Sequence, residues 1–142
     1  MKILIINGPN LNQLNKRQID IYGNISLKDI EKNIETRYSN HQFEFFQSNH
    51  EGELIEKIQT ADNAFDGLVI NPGGFSHTSV AIKDALELCK IPKVEVHLSN
   101  LAARENFRNI MLTASSCNGY ISGFREKGYL AAIYLLENLN SD

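Results

Sequence analysis

Strand-like and helix-like segments alternate along the whole chain. Short runs rich in β-branched or aromatic residues occur at 2–7, 43–47, 67–71, 93–97 and 119–122. Between them lie longer segments in which apolar residues recur with helical period. Such alternation is typical of parallel strands joined by right-handed helical crossovers. We therefore predict an α/β fold, a flavodoxin-like three-layer sandwich whose five-stranded parallel sheet has the order 2-1-3-4-5.

The helix-like segments carry recognisable start and stop signals. They cover 26–38, 52–61, 78–89 and 128–139. In the first, Ser26 is a candidate N-cap and Asp29 follows three residues later, as in a capping box. The third begins at Thr78 or Ser79 and ends before Pro92. These segments would supply the two helical layers.

Length and charge limit the classes of function. A chain of 142 residues fits a single domain, 1–142, with enough core to fold without disulfides or metals. Its formal net charge of −3 provides no basic surface for a nucleic-acid backbone. Small molecules are therefore the expected ligands.

The cysteines and the N-terminus indicate a reducing compartment. Cys89 and Cys117 lie in apolar surroundings without metal-ligand spacing, so we predict free thiols and no zinc site. The apolar run at the N-terminus is too short for a signal peptide, and no run approaches the ~18 apolar residues of a membrane span. We expect a cytoplasmic protein without a membrane partner.

Polar turns follow the first, third and fourth predicted strands. They read "NGPNLN", "NPGGFSHTS" and "HLSN" and contain Asn71, His77, His97 and Ser99. In parallel α/β sheets, ligands bind beyond the carboxyl ends of the strands. Each turn alone could be ordinary loop chemistry, but three at one edge indicate a binding site there.

The fourth strand places two ionisable residues on one face. Glu95 and His97 are two residues apart and therefore point to the same side of the sheet. A carboxylate that bonds one imidazole nitrogen fixes the tautomer and leaves the other nitrogen free for proton transfer. A pair retained only for packing is the alternative, although apolar residues would cost less desolvation.

The segment 11–23 is long for a connection in a compact domain, which indicates a functional or mobile role. It carries Arg17 and Tyr22. A nearby cation favours the phenolate form of tyrosine, so this pair could supply a base. The alternative is a surface arginine and a tyrosine that anchors the loop.

Taken in order, several stretches resemble one enzyme family. They are "NGPNLNQLNKRQIDIYG", "FQSNHEGELI", "GLVINPGGFSHTSVAIKDAL", "VEVHLSNLAARENFR" and "GYISGFREKGY". Together they resemble type II 3-dehydroquinate dehydratase. The resemblance implies the flavodoxin-like fold, assembly as a dodecamer of trimers, and a cofactor-free anti elimination of water from 3-dehydroquinate through an enolate. The product would be 3-dehydroshikimate, a shikimate-pathway intermediate.

The resemblance also assigns roles to individual residues. Tyr22 matches the base that removes the proton α to the ketone, and Arg17 the residue that activates it and stabilises the transition state. Asn10 matches the group that supports enolate stabilisation. His97 corresponds to the general acid for the departing hydroxyl, with Glu95 orienting it. The 11–23 segment would close as a lid.

Further positions match the family's substrate contacts. They are Asn71, His77, Asp84, Leu98, Ser99 and Arg108. The resemblance assigns Asn71, the Leu98 amide and Ser99 to the substrate carboxylate. It assigns His77 and Arg108 to hydroxyl groups, and Asp84 to a contact from a neighbouring subunit.

The chain departs from the family pattern in three places. The segment after Arg108 lacks the usual His or Lys and Ser, Arg125 stands where a small residue is frequent, and "RQIDIYG" lacks a Glu-Pro pair. We expect these departures to affect the surroundings of Arg108, the lid and subunit packing.

Two other classes of protein stay open: a flavodoxin-like module that binds FMN or another phosphate-bearing ligand, and a non-catalytic oligomeric protein. Against FMN binding, the sequence has no Ser/Thr-rich phosphate loop after the first strand and no Trp to stack on a flavin.

Overall fold

The computed structural model describes residues 1–139 and is built around a five-stranded parallel sheet. Its strands are β1 (Lys2–Asn7), β2 (Gln42–Gln47), β3 (Gly67–Asn71), β4 (Lys93–His97) and β5 (Gly119–Ser122). They lie in the order β2-β1-β3-β4-β5, and every neighbouring pair is parallel. The predicted strands and their order are confirmed, with β2 beginning one residue earlier than expected.

The α-helices follow the predicted segments. They are α1 (Ile19–Tyr22), α2 (Leu27–Arg37), α3 (Glu51–Gln59), α4 (Val80–Leu88) and α5 (Lys127–Leu139). Ser26 and Asp29 form the predicted capping box at the start of α2. Ser79, rather than Thr78, caps α4, because its side chain accepts a hydrogen bond from the Ile82 amide. Short α1 and a 3-10 helix at Leu11–Lys16 lie in the 11–23 segment, where the sequence indicated only a loop.

Alternation along the strands divides the core into two layers. On β1, Ile3 and Ile5 pack in one cluster with residues of α2 and α5. Leu4 and Ile6 belong to a second cluster with residues of α3 and α4. Each face of the sheet is thus covered by helices, as expected for a parallel sheet.

The turns after β1 and β3 lie against each other at the carboxyl edge. Asn7 and Asn71 are paired in register, and the Gly8 amide donates to the Asn71 carbonyl at 2.8 Å. A β-carbon on Gly8 would lie 2.4 Å from the Pro72 carbonyl oxygen, so only glycine permits this approach. The close contact fixes the two turns that frame the site described below.

Both cysteines are free thiols. Burial raises the pKa of Cys89 to about 11 and that of Cys117 to about 12. They therefore stay protonated and weakly nucleophilic near neutral pH. No helix within residues 1–139 is both long and apolar enough to cross a membrane.

Candidate active site

A cleft opens at the carboxyl edge of the sheet, between the turns after β1, β3 and β4. The volume of the cavity is about 120 Å³. Predicted site residues that line it are Asn10, Arg17, Tyr22, Asn71, His77, His97, Leu98, Ser99 and Arg108. The structure therefore brings together side chains from segments that are distant in the sequence.

Glu95 and His97 form a hydrogen-bonded pair on one face of β4. Glu95 is fully buried, and its Oε1 lies 2.6 Å from His97 Nε2. No group within residues 1–139 hydrogen-bonds His97 Nδ1, and the imidazole lines the cleft. The predicted contact is therefore present, with Nε2 bound to the carboxylate and Nδ1 available for proton transfer.

Two hydroxyl groups that the sequence analysis did not select also bind the Glu95 carboxylate. Ser76 Oγ donates to Oε1, and Thr113 Oγ1 donates to Oε2, each at 2.6 Å. Both residues are fully buried. Ser76 lies within the "NPGGFSHTS" turn and could have been suspected, whereas no sequence pattern pointed to Thr113.

Two arginines lie close to the ring of Tyr22. Its hydroxyl accepts a hydrogen bond from Arg17, whose guanidinium carbon is 3.7 Å from the centre of the Tyr22 ring. Arg104, which the sequence analysis missed, lies 5.1 Å from the same ring centre. Burial lowers the pKa of Arg17, and repulsion from Arg104 and Arg108 acts in the same direction. The arrangement places positive charge beside the phenol.

His77 offers a hydrogen-bond acceptor inside the site. Burial lowers the pKa of His77, which keeps the imidazole neutral at neutral pH. Its Nδ1 donates to the Ile110 carbonyl at 2.7 Å, so Nε2 carries the lone pair. Nε2 is buried without a hydrogen-bond partner in the described part of the chain. A ligand hydroxyl group could satisfy it.

The cleft is suited to an anionic ligand. Among residues 1–139, its lining contains Arg17, Arg104 and Arg108 and no acidic residue. Asn71 is held by a hydrogen bond from Nδ2 to the Tyr129 hydroxyl at 3.1 Å, which leaves its second amide hydrogen available. Ser99 Oγ accepts from Arg104 at 3.1 Å and can still donate its own hydrogen.

The remaining predicted residues have different environments. Asn10 adopts a left-handed conformation, φ 69°, which asparagine tolerates better than most residues. Its backbone amide donates to Asn49 Oδ1 at 3.0 Å. Arg108 donates through Nε to Glu105 at 2.5 Å. Asp84 is exposed on α4 and does not line this cleft, so its contact with a neighbouring subunit's site stays a prediction.

The fold and the site together define an α/β enzyme equipped for general acid–base chemistry. The family profile described as Dehydroquinase class II matches residues 1–137. The chain is 55% identical over 135 residues to the 3-dehydroquinate dehydratase of Thermotoga petrophila, covering 94% of this chain and 92% of that protein.

Solved structures agree with this relationship. The type II dehydroquinase of Butyrivibrio crossotus superposes with a TM-score of 0.93 at 50% identity, covering 96% of this chain and 97% of that one. The type II dehydroquinase of Propionibacterium acnes gives a TM-score of 0.88 at 37% identity, covering 96% of each chain. This chain belongs to the class II dehydroquinase family.

Proposed function

We propose that the protein is a hydro-lyase that converts 3-dehydroquinate to 3-dehydroshikimate, a step of the shikimate pathway. The proposed mechanism is an anti elimination of water through an enolate. The observation that carries it is the cleft itself, where a phenol bound by Arg17 and an imidazole bound by a buried carboxylate line one cavity. These groups match the two proton transfers that dehydration of a hydroxy ketone requires.

Tyr22 is the base in this proposal. A proton α to a ketone is weakly acidic, so its removal needs both a strong base and stabilisation of the enolate. The contact with Arg17 favours the phenolate form of Tyr22. Asn10, which also lines the cleft, supports stabilisation of the developing enolate oxygen.

His97 is the general acid in this proposal. Loss of hydroxide from the enolate is slow unless the leaving oxygen is protonated. Nε2 is held by Glu95, so Nδ1 of the imidazolium delivers the proton. The carboxylate stabilises the positive charge of that imidazolium and fixes the direction of the ring.

The remaining contacts orient the substrate. Asn71, Ser99 and the Leu98 backbone hold its carboxylate, within the positive potential of the arginines. Neutral His77 accepts a hydrogen bond from a substrate hydroxyl, and Arg108 binds a second hydroxyl. Closure of the 11–23 segment would exclude water from the enolate.

A direct assay tests the function. Purified protein is mixed with 3-dehydroquinate, and formation of the conjugated enone is followed by ultraviolet absorbance. We expect turnover that saturates with substrate. A folded protein that forms no product would contradict the proposal, and tight binding of added FMN by the same sample would favour the binding-module alternative.

Replacing Arg17 with alanine should change the pH dependence of the reaction. The reactive form pairs a phenolate with an imidazolium, although ordinary tyrosine titrates near pH ~10 and ordinary histidine near ~6.5. In this reverse-protonated case the basic limb of the kcat/KM profile follows the tyrosine and the acidic limb follows the histidine. Loss of the Arg17 cation disfavours the phenolate form of Tyr22. We therefore expect the basic limb of the kcat/KM profile to move to higher pH and the plateau of that profile to fall. The pH profiles of wild type and Arg17→Ala measure this change. An identical basic limb in the variant would remove the proposed role of Arg17.

We infer that the enzyme is a homo-oligomer, a dodecamer of trimers in line with the resemblance noted above. Large apolar side chains exposed on β5 and in the preceding turns support a subunit interface: Phe107, Ile110 and Tyr120 are 59%, 55% and 55% exposed. In that assembly, Asp84 reaches the site of a neighbouring subunit.

Subunit complementation tests the role of Asp84. We expect Asp84→Ala and His97→Ala oligomers each to have low activity, because each lacks a part of every site. After subunit exchange, some sites would combine an intact His97 with an intact neighbouring Asp84, and activity should return. Activity is measured before and after exchange, with mass spectrometry to verify mixed oligomers. Mixed oligomers without recovered activity, or a fully active monomer, would contradict the assignment.

We also infer that the enzyme works in the cytoplasm. Its two cysteines are free thiols, which persist in a reducing compartment. Fractionation of the source cells, with activity measured in each fraction, tests this location.

A further inference from the structure

We propose that Thr113 is a positioning residue that holds the Glu95 carboxylate oriented toward His97, and thereby sets the proton affinity of the general acid. This inference rests on the proposed role of His97. Thr113 itself does not line the cleft. Its influence would therefore pass through the Glu95 carboxylate rather than through contact with the substrate.

The hydrogen bonds of Glu95 account for both carboxylate oxygens. Oε1 accepts from Ser76 Oγ and from His97 Nε2, each at 2.6 Å. Oε2 accepts from Thr113 Oγ1 at 2.6 Å. Thr113 is the donor that holds Oε2, and it also lies 3.2 Å from Ser76 Oγ. Without Thr113, one buried oxygen of the carboxylate would lose its hydrogen bond.

Three groups surround the Glu95 carboxylate within hydrogen-bond distance. Each of the two hydroxyls has one proton to donate. With Ser76, Thr113 and His97 all in contact, the orientation of the carboxylate is fixed at both oxygens. Hydrogen bonds to the charged form stabilise it, which offsets the desolvation of a fully buried carboxylate.

Backbone contacts hold Thr113 at this position. The Leu112 amide donates to the Ser76 carbonyl at 2.9 Å, and a short 3-10 helix at Ala114–Ser116 follows directly. Thr113 is fully buried. The segment after Arg108, where the sequence departs from the family pattern, therefore still delivers a hydroxyl to the Glu95–His97 pair.

Thr113→Val tests the inference, because valine retains the shape of threonine and removes the hydroxyl. We expect kcat to fall at least ~10-fold while KM changes by less than about two-fold, since no substrate contact is lost. A carboxylate with fewer donors is more basic and favours the imidazolium more strongly. The acidic limb of the pH–rate profile, which belongs to His97, should therefore move to higher pH.

Control variants separate positioning from stability. Thr113→Ser retains the hydroxyl and should restore kcat and the pH profile. Thr113→Ala lacks it and should reproduce the effects of valine if the valine variant folds poorly. Ser79→Ala removes another buried hydroxyl, which caps α4, and should lower the melting temperature without moving the pH profile.

The outcomes distinguish this inference from the proposed function. If His97→Ala abolishes turnover but folded Thr113→Val and Thr113→Ala have wild-type kcat and an unchanged pH profile, the role of Thr113 is overturned. Failure of Thr113→Ser to restore the profile would overturn it as well. If His97→Ala itself retains full activity, the general-acid assignment fails before the question of Thr113 arises.

Discussion

Tyr22→Phe should reduce kcat by about 10²–10⁴-fold while leaving the fold intact, because it removes the base and little else. A loss of ~10³-fold corresponds to about 4 kcal/mol of transition-state stabilisation. The Tyr22 ring is buried and keeps its packing as phenylalanine, including the contact with Arg17. Among residues 1–139 the lost hydroxyl has one hydrogen-bond partner, the Arg17 guanidinium, so the free energy of unfolding should change by about 1–3 kcal/mol.

Tyr38→Phe provides a matched control. The Tyr38 hydroxyl donates to the Leu130 carbonyl at 2.9 Å, away from the cleft. Its loss removes one tyrosine hydroxyl bond and should leave kcat unchanged. Initial rates and thermal unfolding of both variants measure the two effects separately. A folded Tyr22→Phe protein with a wild-type rate would exclude Tyr22 as the base.

The sequence could predict the Glu95–His97 contact because strand geometry is regular. Residues two apart in a strand share a face, and the alternation of Val94 and Val96 with the polar pair defined which face. The sheet order and the carboxyl-edge rule then located the imidazole. The observed distance of 2.6 Å between Glu95 Oε1 and His97 Nε2 confirms the predicted contact. The wider placement of Tyr22 and Arg17 beside this edge followed from the family resemblance and the position of their segment after β1.

The other contacts of the site could not be predicted in this way. Thr113 and Arg104 lie in turns and short 3-10 helices after β4, where neither strand nor helix periodicity fixes the direction of a side chain. Thr113 contacts Glu95 although the two residues are 18 positions apart in the sequence. Within the 11–23 segment, Leu11 and Leu14 are buried near one end and Tyr22 is buried near the other, so the segment is anchored at both ends. Such contacts depend on tertiary packing, which a single sequence does not encode as a local pattern.

His97→Ala should also reduce kcat by about 10²–10⁴-fold, but by preventing departure of the hydroxyl rather than removal of the proton. The two steps can be separated in D₂O. If Tyr22 forms the enolate without help from His97, the His97→Ala variant should still exchange the proton α to the ketone for deuterium. Tyr22→Phe should lose both exchange and dehydration. Mass spectrometry of recovered 3-dehydroquinate measures exchange, and absorbance of the product measures dehydration.

The alanine variant leaves Glu95 buried with one hydrogen bond fewer, which costs about 1–3 kcal/mol of stability. His97→Gln can offer an amide donor to Glu95 yet cannot deliver a proton, so it separates the loss of the acid from the loss of stability. His41→Ala is the matched control, because His41 pairs with Glu137 at 2.8 Å outside the cleft and should be dispensable for turnover.

The pattern across these variants assigns the two roles. Exchange that survives in both His97 variants while dehydration fails would place the imidazole after enolate formation, as a general acid. Exchange lost with His97 and retained in Tyr22→Phe would reverse the assignment of base and acid. The Glu95 contact leaves Nδ1 of the His97 ring free for proton transfer. Added imidazole that enters the space of the removed ring should therefore partly restore dehydration in His97→Ala. It should not do so in His97→Gln, where the amide side chain fills that space.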